Sequence, residues 1–288
     1  MHEPTSTRVP LALLTAVVAI SFAAIFFRLA SPTPPLVSAG VRLTFSALLL
    51  APWTLRGLRA GRLAGDRGRA AVLGGLLYAL HFGSWVASLE RTTIAASVTL
   101  VTATPILLAL HGLATGRDRP TRRLWIALGL GVVGVAILGG TDLGRGAEAL
   151  LGDALALVGC AAMAAYLLVV RRLGPELDVL AFAGVATGVG AAALAGATLI
   201  LGGPLLPASP EAAGWLLLSA LVPQLIGHNL LTWALRHAPP TVVGMATVGE
   251  PVGASLLGFL VLGESVGPLA AIGCAVTIGA VVMALRAR

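Results

Sequence analysis

The sequence predicts an all-α integral membrane protein with ten transmembrane helices arranged as two inverted five-helix repeats. Three observations carry that prediction: a composition too apolar for a water-facing surface, ten apolar stretches of spanning length, and segments that recur at a nearly constant shift. Of the 288 residues, 57% are hydrophobic and 11% charged, and the mean hydropathy is +0.95. Soluble proteins carry roughly a quarter charged residues, so this chain lacks the polar side chains to cover itself in water. At about 20 residues per span, ten spans use about 200 residues, leave short loops, and exclude extended soluble domains.

The first apolar stretch, Leu11 to Phe27, follows MHEPTSTRVP with Arg8 ahead of it. It is longer than a signal-peptide core of about 7–15 residues, so it is expected to stay in the protein as a helix. Further spans are expected over residues 36–55, 70–89, 93–113, 124–140, 151–170, 178–201, 213–235, 241–262 and 268–285. Arginines in short loops mark the cytoplasmic face. With the N-terminus inside, that face takes Arg8, Arg56, Arg59, Arg62, Arg67, Arg69, Arg117, Arg119, Arg122, Arg123, Arg171, Arg172, Arg236, Arg286 and Arg288. The opposite face takes only Arg28, Arg91 and Arg145, and Arg42 lies within a span. Both termini are therefore expected in the cytoplasm. The basic stretch 56–69 reads as a solvated loop near anionic lipid heads rather than a surface helix. Every basic residue is Arg and none is Lys, a bias that points to a GC-rich bacterial gene and hence to the cytoplasmic (inner) membrane. Cys160 and Cys274 sit in apolar runs without metal or redox spacing and read as packing residues.

The repeat divides the chain at residues 1–145 and 146–288. ASLERTTIAASVTLVTATP, ending at Pro105, aligns with WALRHAPPTVVGMATVGEP, ending at Pro251, at a shift of 146. Nearer the front of each half, Ala39-Gly40-Val41 matches Ala183-Gly184-Val185 at a shift of 144. Five spans per half make the second copy enter the membrane in the opposite sense, the plan of many transporters, in which related half-sites exchange inward and outward access.

Ionisable groups deep in spans cost about 2.5–3.5 kcal/mol each even on a mild insertion scale, so they are the candidate functional residues. Glu250 lies near the midplane of span nine, where a permanent charge is expensive; it is the first candidate for coupling or substrate binding. His81 in span three and His228 in span eight are near-counterparts across the repeat. Tyr78, His81, Trp85 and Ser88 recur at helical spacing, and Gln224 and His228 share a face, with Asn229 and Thr232 close by. Arg42 is too deep to belong to a loop; it either snorkels outward or faces the interior to pair with Glu250 or a substrate carboxylate. Pro105 and Pro251 interrupt the amide ladder within spans four and nine and are candidate hinges for alternating access. Gly129, Gly131 and Gly134 in span five, Gly273 and Gly279 in span ten, and Gly249 with Gly253 beside Glu250 permit close helix approach; spans five and ten, without ionisable residues, read as scaffold or oligomer surfaces, with a homodimer as one expected assembly.

These features resemble the EamA-type branch of the drug/metabolite transporter superfamily. The resemblance rests on Arg42 in VRLTFSALLL, on GDALAL with Tyr166 and Arg171 after it, on VGEPVGASLLGFLVLGESV with Glu250-Pro251 and Glu264, and on Ile272-Gly273 with Gly279-Ala280. It covers essentially the whole chain. It departs in the first span, where Ser21-Phe22 stands in place of a frequent Trp-Gly pair. The resemblance implies a central cavity within helices one to four and six to nine, peripheral helices five and ten, and export or exchange of small metabolites such as amino acids. The lysine-rich phosphate clamps expected of sugar-phosphate carriers are absent.

The sequence thus predicts a secondary transporter, a non-enzyme whose partners are a small-molecule substrate and the lipid bilayer, with no nucleic acid and no cofactor. Two alternatives carry less: an intramembrane metal-dependent enzyme using His81, His228 and Glu250, which lacks an HExxH pair, and a passive channel. Nothing resembles a nucleotide-binding loop.

Overall fold

A bilayer offers no water to backbone amides and carbonyls, so a spanning chain must satisfy them internally, and helices do so within one segment. The computed structural model describes residues 5–92, 94–117, 120–139, 146–263 and 267–286, and every regular element among them is helical. The first half contains α1 (Thr5–Ser21), α2 (Ala23–Leu29), α3 (Pro35–Arg59), α4 (Asp66–Leu89), α5 (Ile94–Val101), α6 (Thr104–Thr115) and α7 (Arg122–Gly139). The second contains α8 (Ala147–Arg172), α9 (Val179–Ile200), α10 (Pro210–Ser219), a π-helical segment (Ala220–His228), α11 (Asn229–Ala234), α12 (Pro240–Thr247), α13 (Glu250–Leu262) and α14 (Pro268–Leu285). Arg119, Arg145, Glu264 and Arg288 lie outside the described residues.

Eight helical rods among the described residues are long and apolar enough to cross a membrane. They correspond to expected spans one to four and six to nine. The expected fifth and tenth spans are α7 and α14, each of 18 residues. The stretch after α3 is a turn rather than a surface helix, since α3 ends at Arg59 and α4 begins at Asp66.

Four spans depart from a continuous rod, the first of them at Phe22 between α1 and α2. Span four divides into α5 and α6, and span nine into α12 and α13. In both, the chain turns just before the proline, which then occupies the first turn of the second half-helix. A proline has no N–H to lose there, so Pro105 and Pro251 start helices rather than interrupting them, which corrects their expected place in the ladder. Span eight widens into the π segment, which contains Pro223 and delivers both Gln224 and His228 to the interior.

The long helices pack pairwise: α3 along α9, α4 along α8 and α9, and α7 along α14. The main core runs through the first group and includes Leu43, Tyr78, Phe82, Tyr166 and Phe182. A smaller core, with Leu124, Ala127, Met245 and Ala280, joins α7 and α14 to α12. At Gly134 any Cβ would overlap Thr277, so glycine sets how closely α7 and α14 approach. Lipid-facing leucines such as Leu48, Leu150 and Leu260 stay exposed.

Contacts between loops fix which loops share a face. Arg62 pairs with Asp178 at 2.8 Å and Arg67 with Glu176 at 3.6 Å, tying the α3–α4 turn to the α8–α9 turn. Arg171 donates to the Leu235 carbonyl at 2.9 Å on that same expected side. Across the membrane, Arg91 lies 3.9 Å from Glu148, and Ala208 N–H donates to Thr33 Oγ1 at 3.1 Å. Each contact joins loops assigned to one side by the alternating arrangement.

Candidate functional site

Packing the spans broken before Pro105 and Pro251 against α1, α4, α8 and the π segment leaves a cavity of about 30 Å³. His81, Thr102, Thr104, His228, Thr247 and Glu250 supply its polar lining, and the Trp85 ring, Ile20, Val101, Met163 and Leu231 much of the rest. Such a volume holds about one water molecule. A metabolite therefore needs the walls to move apart.

Glu250 is 9% exposed and opens α13, and among the described residues neither a hydrogen bond nor an ion pair engages its carboxylate. The positive end of the half-helix dipole favours a negative charge at that position. His81 uses Nδ1 on the Gly159 carbonyl at 2.9 Å, which fastens α4 to α8. The rings of His81 and His228 lie 6.4 Å apart, and Phe82 touches both, at 4.5 and 5.3 Å between centroids. Tyr78 stacks on Tyr166 at 4.2 Å, and Trp85 meets Phe27 edge-on at 5.8 Å. Both sequence histidines and Trp85 thus line the cavity, and Tyr78 lies in the aromatic layer beside it. Asn229 is buried but absent from the lining, and Ser88 turns away to a hydrogen bond with Ser97.

Arg42 is fully buried, which rules out snorkelling. Its Nη2 donates to Gln224 Oε1 at 2.9 Å, and its guanidinium lies 4.3 Å from the Phe82 centroid and 5.5 Å from that of Phe27. An Arg42–Glu250 ion pair, one of the expected alternatives, is not formed among the described residues; the cation is held one layer behind the cavity by an amide and two aromatic faces. Its Nε and Nη1 have no hydrogen-bond partner among the described residues. A desolvated guanidinium thus keeps two donor nitrogens unused.

Phe82, Tyr166, Thr102, Thr104 and Thr247 were not among the sequence candidates. Phe82 was legible, since residues 78, 81, 82 and 85 form one i, i+3, i+4, i+7 stripe. Tyr166 donates to or accepts from Thr232 at 3.1 Å, a contact between distant spans with no local signature. The threonines become visible only once the helix breaks are located. His81, His228 and Glu250 do converge, yet the described residues contain no group of three His, Cys, Asp or Glu side chains placed to hold a metal ion.

Two other cavities lie away from these residues. The larger, about 810 Å³, is an apolar lateral groove among α3, α4, α8 and α9 with Glu90 and Arg91 at its rim. Burial pushes the Glu90 carboxyl up, against the lowering effect of neighbouring Arg91. The other, about 500 Å³, is lined by His111, Arg117, Arg171, Arg172 and Thr241 at the face expected to be cytoplasmic.

No curated protein sequence matches the chain. A solved crystal structure aligns over 96% of this chain and 96% of its own, with a TM-score of 0.77 and 19% identity, a likeness of fold. The model of the EamA-like transporter family matches twice, over residues 7–140 and 150–286, once in each repeat. With both halves matched, the chain belongs to the EamA-like transporter family.

Proposed function

We propose that this membrane transporter exports small zwitterionic or amphipathic metabolites, such as amino acids, across the bacterial cytoplasmic membrane by alternating access. The observation that carries the reading is a buried guanidinium, Arg42 in the first repeat, and a buried carboxyl group, Glu250 in the second, beside a cavity too small for a metabolite. Arg42 receives the substrate carboxylate through Nε and Nη1, while Glu250 receives the amino group or exchanges a proton as the cavity opens. The breaks before Pro105 and Pro251 supply hinges, because the turns between half-helices can change angle without disrupting either half. The basic cavity around Arg117 and Arg172 attracts anionic groups on the entry side.

A thermal-shift screen of purified protein against amino acids tests the reading, because a ligand bound only by the folded state raises apparent stability. A saturable rise with at least one amino acid, lost in Arg42→Ala, is expected, and the same compound should exchange across proteoliposomes. No specific shift together with no exchange overturns the proposal. Orientation has its own test: reporter fusions after Arg62, in the turn following α3, and after Glu211, in the first turn of α10, mark corresponding connections of the two halves and are expected on opposite sides. Identical readouts contradict the inverted arrangement.

A further inference from the structure

Most of the polar groups fixed around the central cavity are acceptors, the imidazole of His228 being the one that also brings an N–H, and we propose that the cavity binds one small monovalent cation, a sodium ion or the ammonium head of an amine. This rests on the preceding reading of the cavity as the transport site and names what occupies it. Each threonine in the lining has already committed its single hydroxyl proton to a backbone carbonyl. Thr102 Oγ1 donates to Val98 at 2.7 Å, Thr104 Oγ1 to Val101 at 3.1 Å, and Thr247 Oγ1 to Gly244 at 2.7 Å. What these oxygens can offer the cavity is lone pairs. Thr104 also lies 3.7 Å from Cys160 Sγ, a contact in which either atom donates.

The histidine follows the same logic. His81 Nδ1 faces a carbonyl, which only accepts, so the neutral ring carries its proton there and leaves Nε2 as an acceptor. Glu250 adds a carboxylate engaged by no hydrogen bond among the described residues. The indole N–H of Trp85 is itself buried without a partner and does not open onto the space. A water molecule has two protons, and even with the N–H of His228 added these are too few for three hydroxyls, an imidazole nitrogen and a carboxylate together. One cation can, and the single carboxylate matches a single positive charge.

The surrounding charges are arranged to permit this. Arg42, on α3, is absent from the lining and is held by Gln224 and Phe82. His81 on α4 and His228 on the π segment are the other titratable groups that face Glu250 across the cavity. The donors of lone pairs come from both breaks, Thr102 and Thr104 from α5–α6, Thr247 and Glu250 from α12–α13. A bound cation therefore bridges the two repeats at their hinges and favours the closed arrangement.

The test is thermal unfolding of the purified full-length protein at one pH and constant ionic strength, with sodium, methylammonium or choline chloride exchanged for one another. A saturable rise in Tm with sodium over choline assigns the site to an inorganic ion; a rise with methylammonium alone assigns it to a substrate amine. Thr247→Val and Glu250→Gln are each expected to abolish the shift, and Thr247→Ser to retain it. Equal responses to all three salts, or a sodium shift that persists in Glu250→Gln, overturns the proposal. The wild-type titration stands whether or not a variant folds. Because no transport is needed for the readout, a protein that exchanges amino acids yet shows no cation shift removes this site alone, whereas a cation shift without exchange removes the transport reading.

Discussion

The broken spans α5–α6 and α12–α13 turn at corresponding places: Val101 and Thr247 end the first half-helices, Thr104 and Glu250 begin the second, all at the shift of 146. Both second halves carry proline in their first turn. Their side chains differ. Thr104 is bonded to Val101 and touches Cys160, whereas Glu250 at the equivalent position is left without a partner among the described residues. The same asymmetry separates α3 from α9, where Arg42 corresponds to Ala186 at the shift of 144. Backbone geometry is duplicated and charge is not. Repetition supplies the broken-span scaffold twice, and each repeat adds one buried ionisable residue that the other lacks at the matching position.

Substitutions can sharpen that contrast. The largest effect is expected at Arg42, where removing one partner of a desolvated polar contact costs about 2–5 kcal/mol, so Arg42→Ala should cut exchange by at least about tenfold. Arg42→Lys keeps the charge but loses the planar fork and the aromatic stacking, and should rescue little. At Ala186, the uncharged counterpart, replacement by serine should leave exchange near wild type. Equal losses at both positions would show that the helix pair, rather than the cation, was disturbed.

Scaffold helices should respond in stability instead. Gly134→Leu forces a side chain into Thr277 and is expected to cost about 1–3 kcal/mol, read as a lower Tm. Gly129, also on α7, faces open space, so Gly129→Ala should stabilise by up to about 1 kcal/mol through helix propensity. The smallest change is expected at Thr104. Thr104→Val removes a hydroxyl whose net contribution is about 0.5–1.5 kcal/mol and should lower exchange only a fewfold. A collapse there as deep as at Glu250 would erase the distinction between the two breaks.

Much of this arrangement is legible in the sequence because lipid imposes a length and a polarity on every span. The eight long rods, the repeat, and the deep positions of His81, His228 and Glu250 follow from apolar runs and the ionisable groups inside them, whereas depth alone left Arg42 free to snorkel outward. Hydropathy does not register how amides are bonded, so the π segment Ala220–His228 and the turns before Pro105 and Pro251 were beyond it. Arg42 illustrates the remaining gap. Charge complementarity nominates Glu250, but the nearest acceptor is Gln224, placed by the widened π turn 182 residues away in the chain. The threonines of the cavity look like ordinary polar residues in apolar helices until their hydroxyl protons are traced to backbone carbonyls.

The most direct measurement compares two transport modes of Glu250→Gln in proteoliposomes, with an imposed proton gradient and in substrate exchange without one, on both sides of neutral pH. The substitution keeps the shape of the side chain and removes its charge. Gradient-driven transport is expected to fall by at least about tenfold, the scale of losing a desolvated charge. Surviving exchange would assign Glu250 to coupling, and loss of both modes would assign it to the substrate. Wild-type rates in both modes, with an unchanged response to the gradient, would contradict the account and leave Glu250 as a packing residue.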